Sequence, residues 1–359
     1  MLRTFVAVGI VAVIAVVAAG DTLRTELSSS EASPRAQATD ETRLAAAFPP
    51  AGTLQGTFYV TTLGGCRLRA IDVARLATVV DGPETTCSLF VAPDGRKAIL
   101  PLGPRRGPLG RSRAIWLADV EDEVRLRRRL AVARGGTATW SPDGTRVAWC
   151  RDDGRTVVLT LATAERHAVR GCGPKIAGGA VLTRPDEPLT PLLLRNGEVL
   201  LDGADVVRGF PPGPPALLDV VGYDVREDGL LAVAVVQFAS GREPMPVLEL
   251  WQRGRLVREV ELPALGSPAG RGRFGERVEF SPDGREIAVA FPGAGVRFVL
   301  IDVASGAELL PAMSQHGIAW SPDGAWFAVS TAEEILVYGP GRAAPAYALP
   351  IEASALAWR

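Results

Sequence analysis

Beyond residue 50 the apolar residues fall in short runs separated by polar turns, and the runs come in matching pairs. Four pairs share one join: LFVAPDGRKAIL (89–100), ATWSPDGTRVAW (138–149), VEFSPDGREIAVAF (278–291) and IAWSPDGAWFAVS (318–330). The join has a physical logic. Pro fixes φ for a turn, Asp bonds back to its own backbone, and Gly supplies positive φ. Asp-Gly between two apolar runs therefore predicts a β-hairpin. The turn residues are Asp94 and Gly95, Asp143 and Gly144, Asp283 and Gly284, Asp323 and Gly324. YDVREDGLLAVAVV (223–236), with Asp228 and Gly229, and VLTRPDEP (181–188), with Asp186, are weaker copies. Each pair leads into a third run rich in Val, Ile and Leu, such as RFVLIDVASG (297–306) or EILVYG (334–339), as strands should be. No helical period competes after residue 50.

The marker Asp residues recur every 40 to 55 residues, which suits a propeller blade of four strands. The two ends of the pattern complement each other. TFYVTT (57–62), RLRAIDVAR (67–75) and ATVV (77–80) read as second, third and fourth strands with no first strand before them. The chain ends in ASALAWR, and Leu356-Ala357-Trp358 matches Ile318-Ala319-Trp320, a first strand. The last strand is thus expected to complete the blade begun by residues 57–80. The fold expected is all-β, a seven-bladed β-propeller over residues 51–359 with six blades as the alternative, closed by the C-terminal strand. The repeats resemble those of the TolB-like, WD40-like bacterial propellers, across essentially the whole of residues 51–359. That resemblance implies a protein-interaction or envelope-associated role and names no partner. A fold of this kind hosts many activities.

The N-terminus changes where the propeller is placed. Arg3 precedes an uncharged apolar run from Phe5 to Gly20. It is slightly short for a spanning helix of about 20 residues. Val17-Ala18-Ala19 has the small residues of a cleavage site. Residues 1–20 are read as a transmembrane signal anchor, or alternatively a cleaved signal peptide. Both export the rest of the chain. Residues 21–50 are polar and Ser/Thr/Ala-rich, the composition of a disordered tether. The expected location is the bacterial cell membrane, single-pass with an extracytoplasmic propeller, or secretion after cleavage.

Composition narrows the chemistry. A net charge of −1 over 359 residues argues against a nucleic-acid partner. Two histidines, His167 and His316, leave no multi-His metal site and few bases for catalysis. There is no GxSxG elbow or EF-hand. GCGPK (171–175) lacks the spacing of a phosphate loop and the Ser/Thr after Lys. No catalytic residue, cofactor or metal is assigned, and the marker Asp residues are given a structural role. The four cysteines of an exported chain suggest two disulfides. Cys66 and Cys150 fall at second-to-third strand corners, Cys87 and Cys172 near crossings between blades, on the same face. Neighbour pairing, Cys66 with Cys87 and Cys150 with Cys172, is expected.

Candidate recognition residues lie on loops over the rigid scaffold: Arg105 and Arg106 in GPRRGPLGRSR (103–113), Phe210 in GFPPGPP (209–215), and Arg242 in FASGREPMP (238–246). VRLRRRL (124–130) reads first as an outer edge strand protected by charge. Its functional reading is a docking strip for an acidic partner or lipid headgroups. The expected function is a membrane-tethered scaffold that binds a protein partner or small ligand. The alternatives are a small-molecule or glycan sensor, or an enzyme using the central channel.

Overall fold

The computed structural model describes residues 49–359 except 51–52, 86, 104–112, 134–136, 186–192, 202–216, 239–244, 263–276, 293–295, 315 and 342–343. The anchor and nearly all of the tether lie outside the described residues. Among those described, no helix is long and apolar enough to cross a membrane.

Among the described residues twenty-eight strands form seven four-stranded antiparallel sheets, the blades of a propeller. The first blade is composite. It holds β1 (Thr57–Thr61), β2 (Arg67–Asp72) and β3 (Ala77–Glu84), and its inner strand is β28 (Ala355–Trp358). The second holds β4 (Phe90–Val91), β5 (Lys97–Leu102), β6 (Arg113–Asp119) and β7 (Arg125–Ala133). The third holds β8 (Ala138–Trp140), β9 (Arg146–Cys150), β10 (Arg155–Thr160) and β11 (Arg166–Arg170). The fourth holds β12 (Cys172–Ala177), β13 (Ala180–Arg184), β14 (Leu193–Arg195) and β15 (Glu198–Leu201). The fifth holds β16 (Leu217–Val225), β17 (Leu230–Phe238), β18 (Met245–Gln252) and β19 (Arg255–Glu261). The sixth holds β20 (Arg277–Phe280), β21 (Glu286–Pro292), β22 (Val296–Asp302) and β23 (Glu308–Ser314). The seventh holds β24 (Gly317–Trp320), β25 (Phe327–Ser330), β26 (Ile335–Tyr338) and β27 (Tyr347–Leu349).

The last strand completes the first blade as expected, and the register places Phe58 opposite Trp358 and Val60 opposite Leu356. Trp358 is fully buried, meets the Phe58 ring edge-on at 4.6 Å between centroids, and donates its indole N–H to Gln55 O at 2.8 Å. Aromatic burial, ring geometry and a satisfied polar tip make this residue the latch of the ring.

The fourth blade corrects the sequence reading. VLTR is the second strand, β13, and the residues before it, Cys172–Ala177, are the first. The hairpin turn is Gly178-Gly179, both with positive φ, so Asp186 is not the turn marker of this blade and itself lies outside the described residues. A two-residue turn needs only Gly to reach positive φ, so the Pro-Asp signal is missing there.

Both expected disulfides form, Cys66–Cys87 and Cys150–Cys172, with Cα separations of 4.6 and 5.1 Å. Among the described residues no cysteine is free. Strand VRLRRRL is β7, the outermost strand of its blade, with Arg125 to Arg129 exposed and Leu130 buried.

Candidate functional site

The marker turns lie at one end of the hairpins and spend their carboxylates on themselves. Asp143 accepts from Ser141 Oγ at 2.5 Å, from Thr145 N–H at 3.0 Å and from Thr145 Oγ1 at 2.8 Å. These donors hold its carboxyl down to about 2. Asp283 and Asp323 repeat the arrangement with Ser281 and Ser321. Asp94 accepts from Arg96 N–H, and Asp228 takes a two-pronged pair from Arg226 that holds it at about 2. Adjacent turns also touch: a Cβ on Gly324 would meet Pro282 Cδ at 3.5 Å, and one on Gly144 would meet Pro93 Cδ at 3.7 Å. Glycine therefore serves both the positive φ and the contact between turns.

The inner strands carry the polar groups nearest the centre. In six blades the position second from the turn holds Ala357, Phe90, Thr139, Asp224, Glu279 and Ala319. In the fourth blade, whose turn is Gly178-Gly179, the half-buried polar residue is Lys175, third from the turn. Charge is confined to three consecutive blades, the fourth to the sixth. Lys175 Nζ lies 3.4 Å from Asp224 Oδ1 and donates to Val278 O at 3.3 Å. Asp224 Oδ2 accepts from Phe280 N–H at 2.9 Å. Val278 and Phe280 sit on β20, whose sheet gives it a strand neighbour on one side only. The pair thus satisfies donor and acceptor groups on an edge that has no further strand. Glu279 lies between them, half-buried, and acts on the Arg359 guanidinium. Burial pulls Arg359 below its ordinary value and the Glu279 charge opposes this. Arg359 donates to Ala92 O at 3.2 Å and Trp358 O at 2.8 Å, which ties the inner strand of the first blade to the turn of the second.

The sequence candidates are placed as follows. The four cysteines pair in two corners. The turn residues sit in their own hairpins, distributed round the ring. Arg105, Arg106, Phe210 and Arg242 lie outside the described residues. His167 is on β11, the outer strand of the third blade, and His316 precedes β24 of the seventh; both are exposed. They belong to different blades and form no shared site. The Lys175–Asp224 bridge was missed in the sequence, because 49 residues separate its members and only the ring brings their blades together. Lys175 was visible only as the end of GCGPK, where its partner has no local signal. Among the described residues no cluster of three or more His, Cys, Asp or Glu has the arrangement of a metal site.

No protein-family description and no curated protein matches the chain. Solved structures do, 1014 chains in all, a breadth that fits a fold used for many purposes. One is TolB from Acinetobacter baumannii, at 15% identity over 87% of this chain and 68% of that one, with a TM-score of 0.45. Another is a candidate 6-phosphogluconolactonase from Bacteroides fragilis, at 11% identity over 87% of this chain and 99% of that one, with a TM-score of 0.50. At these identities the likeness concerns the fold. The chain is a seven-bladed β-propeller built on Ser/Ala-Pro-Asp-Gly hairpins and latched by its own C-terminal strand.

Proposed function

We propose that the chain is a membrane-tethered, extracytoplasmic binding scaffold that presents a rigid ring to a protein partner and performs no chemistry of its own. The observation that carries this reading is the fate of the inner charges. Lys175, Asp224 and Arg359 are bonded to one another's neighbours and to inner-strand carbonyls and amides, so they brace the ring. The free charge is on the outside. Arg128 and Arg129 on β7 are exposed and have no acidic partner among the described residues, while Arg125 and Arg127 pair with Glu123 and Asp119. Two disulfides fit an oxidising compartment. A partner bearing acidic groups is the complement of such a rim.

The test is crosslinking and affinity capture of the tagged full chain from its native membrane, beside a copy that begins at residue 51. Capture of one stoichiometric partner by both forms supports the scaffold. Capture by the full chain alone moves the contact into the anchor or tether. Absence of any partner with both forms overturns the reading and favours a channel-based sensor or enzyme.

A further inference from the structure

The rim between the second and third blades contains a cleft that the scaffold reading does not use. Its cavity is about 450 Å³, within the range that takes a small organic molecule. Leu130 of β7 and Val157 of β10 supply apolar walls, Trp149 of β9 lines it, and Arg151, Arg166 and His167 stand round it. The guanidinium of Arg166 lies over the Trp149 ring at 5.8 Å from its centroid. A cation–π contact at this range uses none of the guanidinium N–H groups as hydrogen-bond donors, so they are available as a fork. Among the described residues no carboxylate pairs with that fork. Arg151 shares one amine with Asp153 at 3.3 Å. Trp149 is 1% exposed and its indole N–H has no acceptor among the described residues. A buried donor without a partner calls for an explanation, because nearly all such groups in folded proteins are paired. The disulfide Cys150–Cys172 begins at the residue after Trp149 and fixes that corner.

We infer that this cleft binds a small organic acid, an apolar body carrying one carboxylate. The carboxylate accepts from the Arg166 fork, with Arg151 beside it, and the apolar body lies against Ala131, Ala168 and the parts of Leu130 and Val157 that reach the cleft, while the buried Trp149 holds Arg166 in place from beneath. A guanidinium fork matches two carboxylate oxygens in both spacing and plane. The apolar walls exclude a fully hydrated ion as the preferred occupant. The inference is independent of the protein partner proposed above.

The experiment is calorimetric titration of the oxidised full chain, held in lipid nanodiscs, with 1-naphthoate. Titration of empty nanodiscs is subtracted. Three comparisons are made: naphthoate against neutral 1-naphthylmethanol, wild type against Arg166→Ala, and wild type against Trp149→Phe. Arg255→Ala, a remote exposed arginine on β19, controls for net charge, and thermal melting confirms that each variant is folded. Saturable binding of naphthoate is expected, weakened about tenfold or more by loss of the fork or of the ligand's charge, and by a smaller factor in Trp149→Phe. Arg255→Ala binds as wild type. Absence of saturable binding up to about 5 mM, a range in which single charge-assisted contacts on an apolar body still register, overturns the inference. So does parity in any of the three comparisons, or an equal loss in Arg255→Ala.

Discussion

The seam between the third and fourth blades and the seam between the fifth and sixth are built in opposite ways. The second is an apolar wall: thirteen buried residues, among them Leu230, Leu248, Val278, Phe280 and Ile287, pack across it. The first has four, Ala148, Val158, Ile176 and Val181. Its place is taken by polar and covalent ties. Thr156 Oγ1 donates to Gly171 O at 2.8 Å and Thr183 Oγ1 to Arg170 O at 2.6 Å, and both threonines are fully buried. The crossing is tight: a Cβ on Gly171, at φ +91°, would come within 2.6 Å of Arg184 O. Then Cys150–Cys172 joins the two blades. Apolar packing is non-directional and grows with the area buried. Where backbones approach too closely for large side chains, directional bonds and a covalent tie hold the seam instead.

The largest expected effect tests the apolar strategy at the seam that closes the ring. Trp358→Ala removes a fully buried ring and its bond to Gln55, and should cost about 3–5 kcal/mol, enough to open the first blade. Urea unfolding followed by circular dichroism measures this; a loss below about 1 kcal/mol would mean that the latch is not limiting. Next comes the stapled seam. Replacing Cys150 and Cys172 by Ser frees a loop with a sequence separation of 22 and should cost about 3 kcal/mol. Hydrogen exchange should then quicken in β12 before β20. Equal quickening at both would erase the contrast between seams.

A mixed seam sharpens the comparison. Glu249 is fully buried on the face that β18 shares with Val247 and Trp251, against the fourth blade. Burial raises its carboxyl from 4.5 to about 7; the Trp251 indole N–H, 2.9 Å away, opposes this, and the charge of Glu259 adds to it. Its other oxygen has no partner among the described residues. The folded state thus holds the proton more tightly than the unfolded chain. The stabilisation from that proton is complete below pH 4.5 and is lost as the pH rises through about 7. Glu249→Gln is expected to stabilise the protein by roughly 2–3 kcal/mol at about pH 8 and to change little at about pH 4. Melting curves at the two pH values read the difference, and a gain equal at both would deny the shift. The smallest effect belongs to a device common to most blades. Asp143→Ala loses the turn's bonds from Ser141 and Thr145 at an exposed site and should cost about 1 kcal/mol or less. Chemical denaturation checks it, and a cost as large as that of the disulfide would make the turn rather than the seam the weak point.

The blade count, the closure and the disulfide pairing were legible in the sequence because each has a local signature. Asp143-Gly144 and Asp323-Gly324 name their turns, Leu356-Ala357-Trp358 repeats Ile318-Ala319-Trp320, and the cysteines fall at corners fixed by the strand count. The fourth blade was misread at Arg184-Pro185-Asp186-Glu187, because Gly178-Gly179 makes a hairpin without the Pro-Asp marker and the later Pro-Asp mimicked one. The cleft was invisible for a different reason. Trp149, Arg166 and Leu130 come from two blades, and periodicity assigns strands without giving the gap between their outer halves.

What the sequence determined by itself is the list of strands and their order, since alternation and turn chemistry act over a few residues. Tertiary structure alone decided that Lys175 and Asp224 cap the inner edge of β20, that Glu249 is denied water, and that Trp149 lies beneath an arginine with which no described carboxylate pairs. These depend on how closely whole blades approach, and that distance is set by packing around the entire ring.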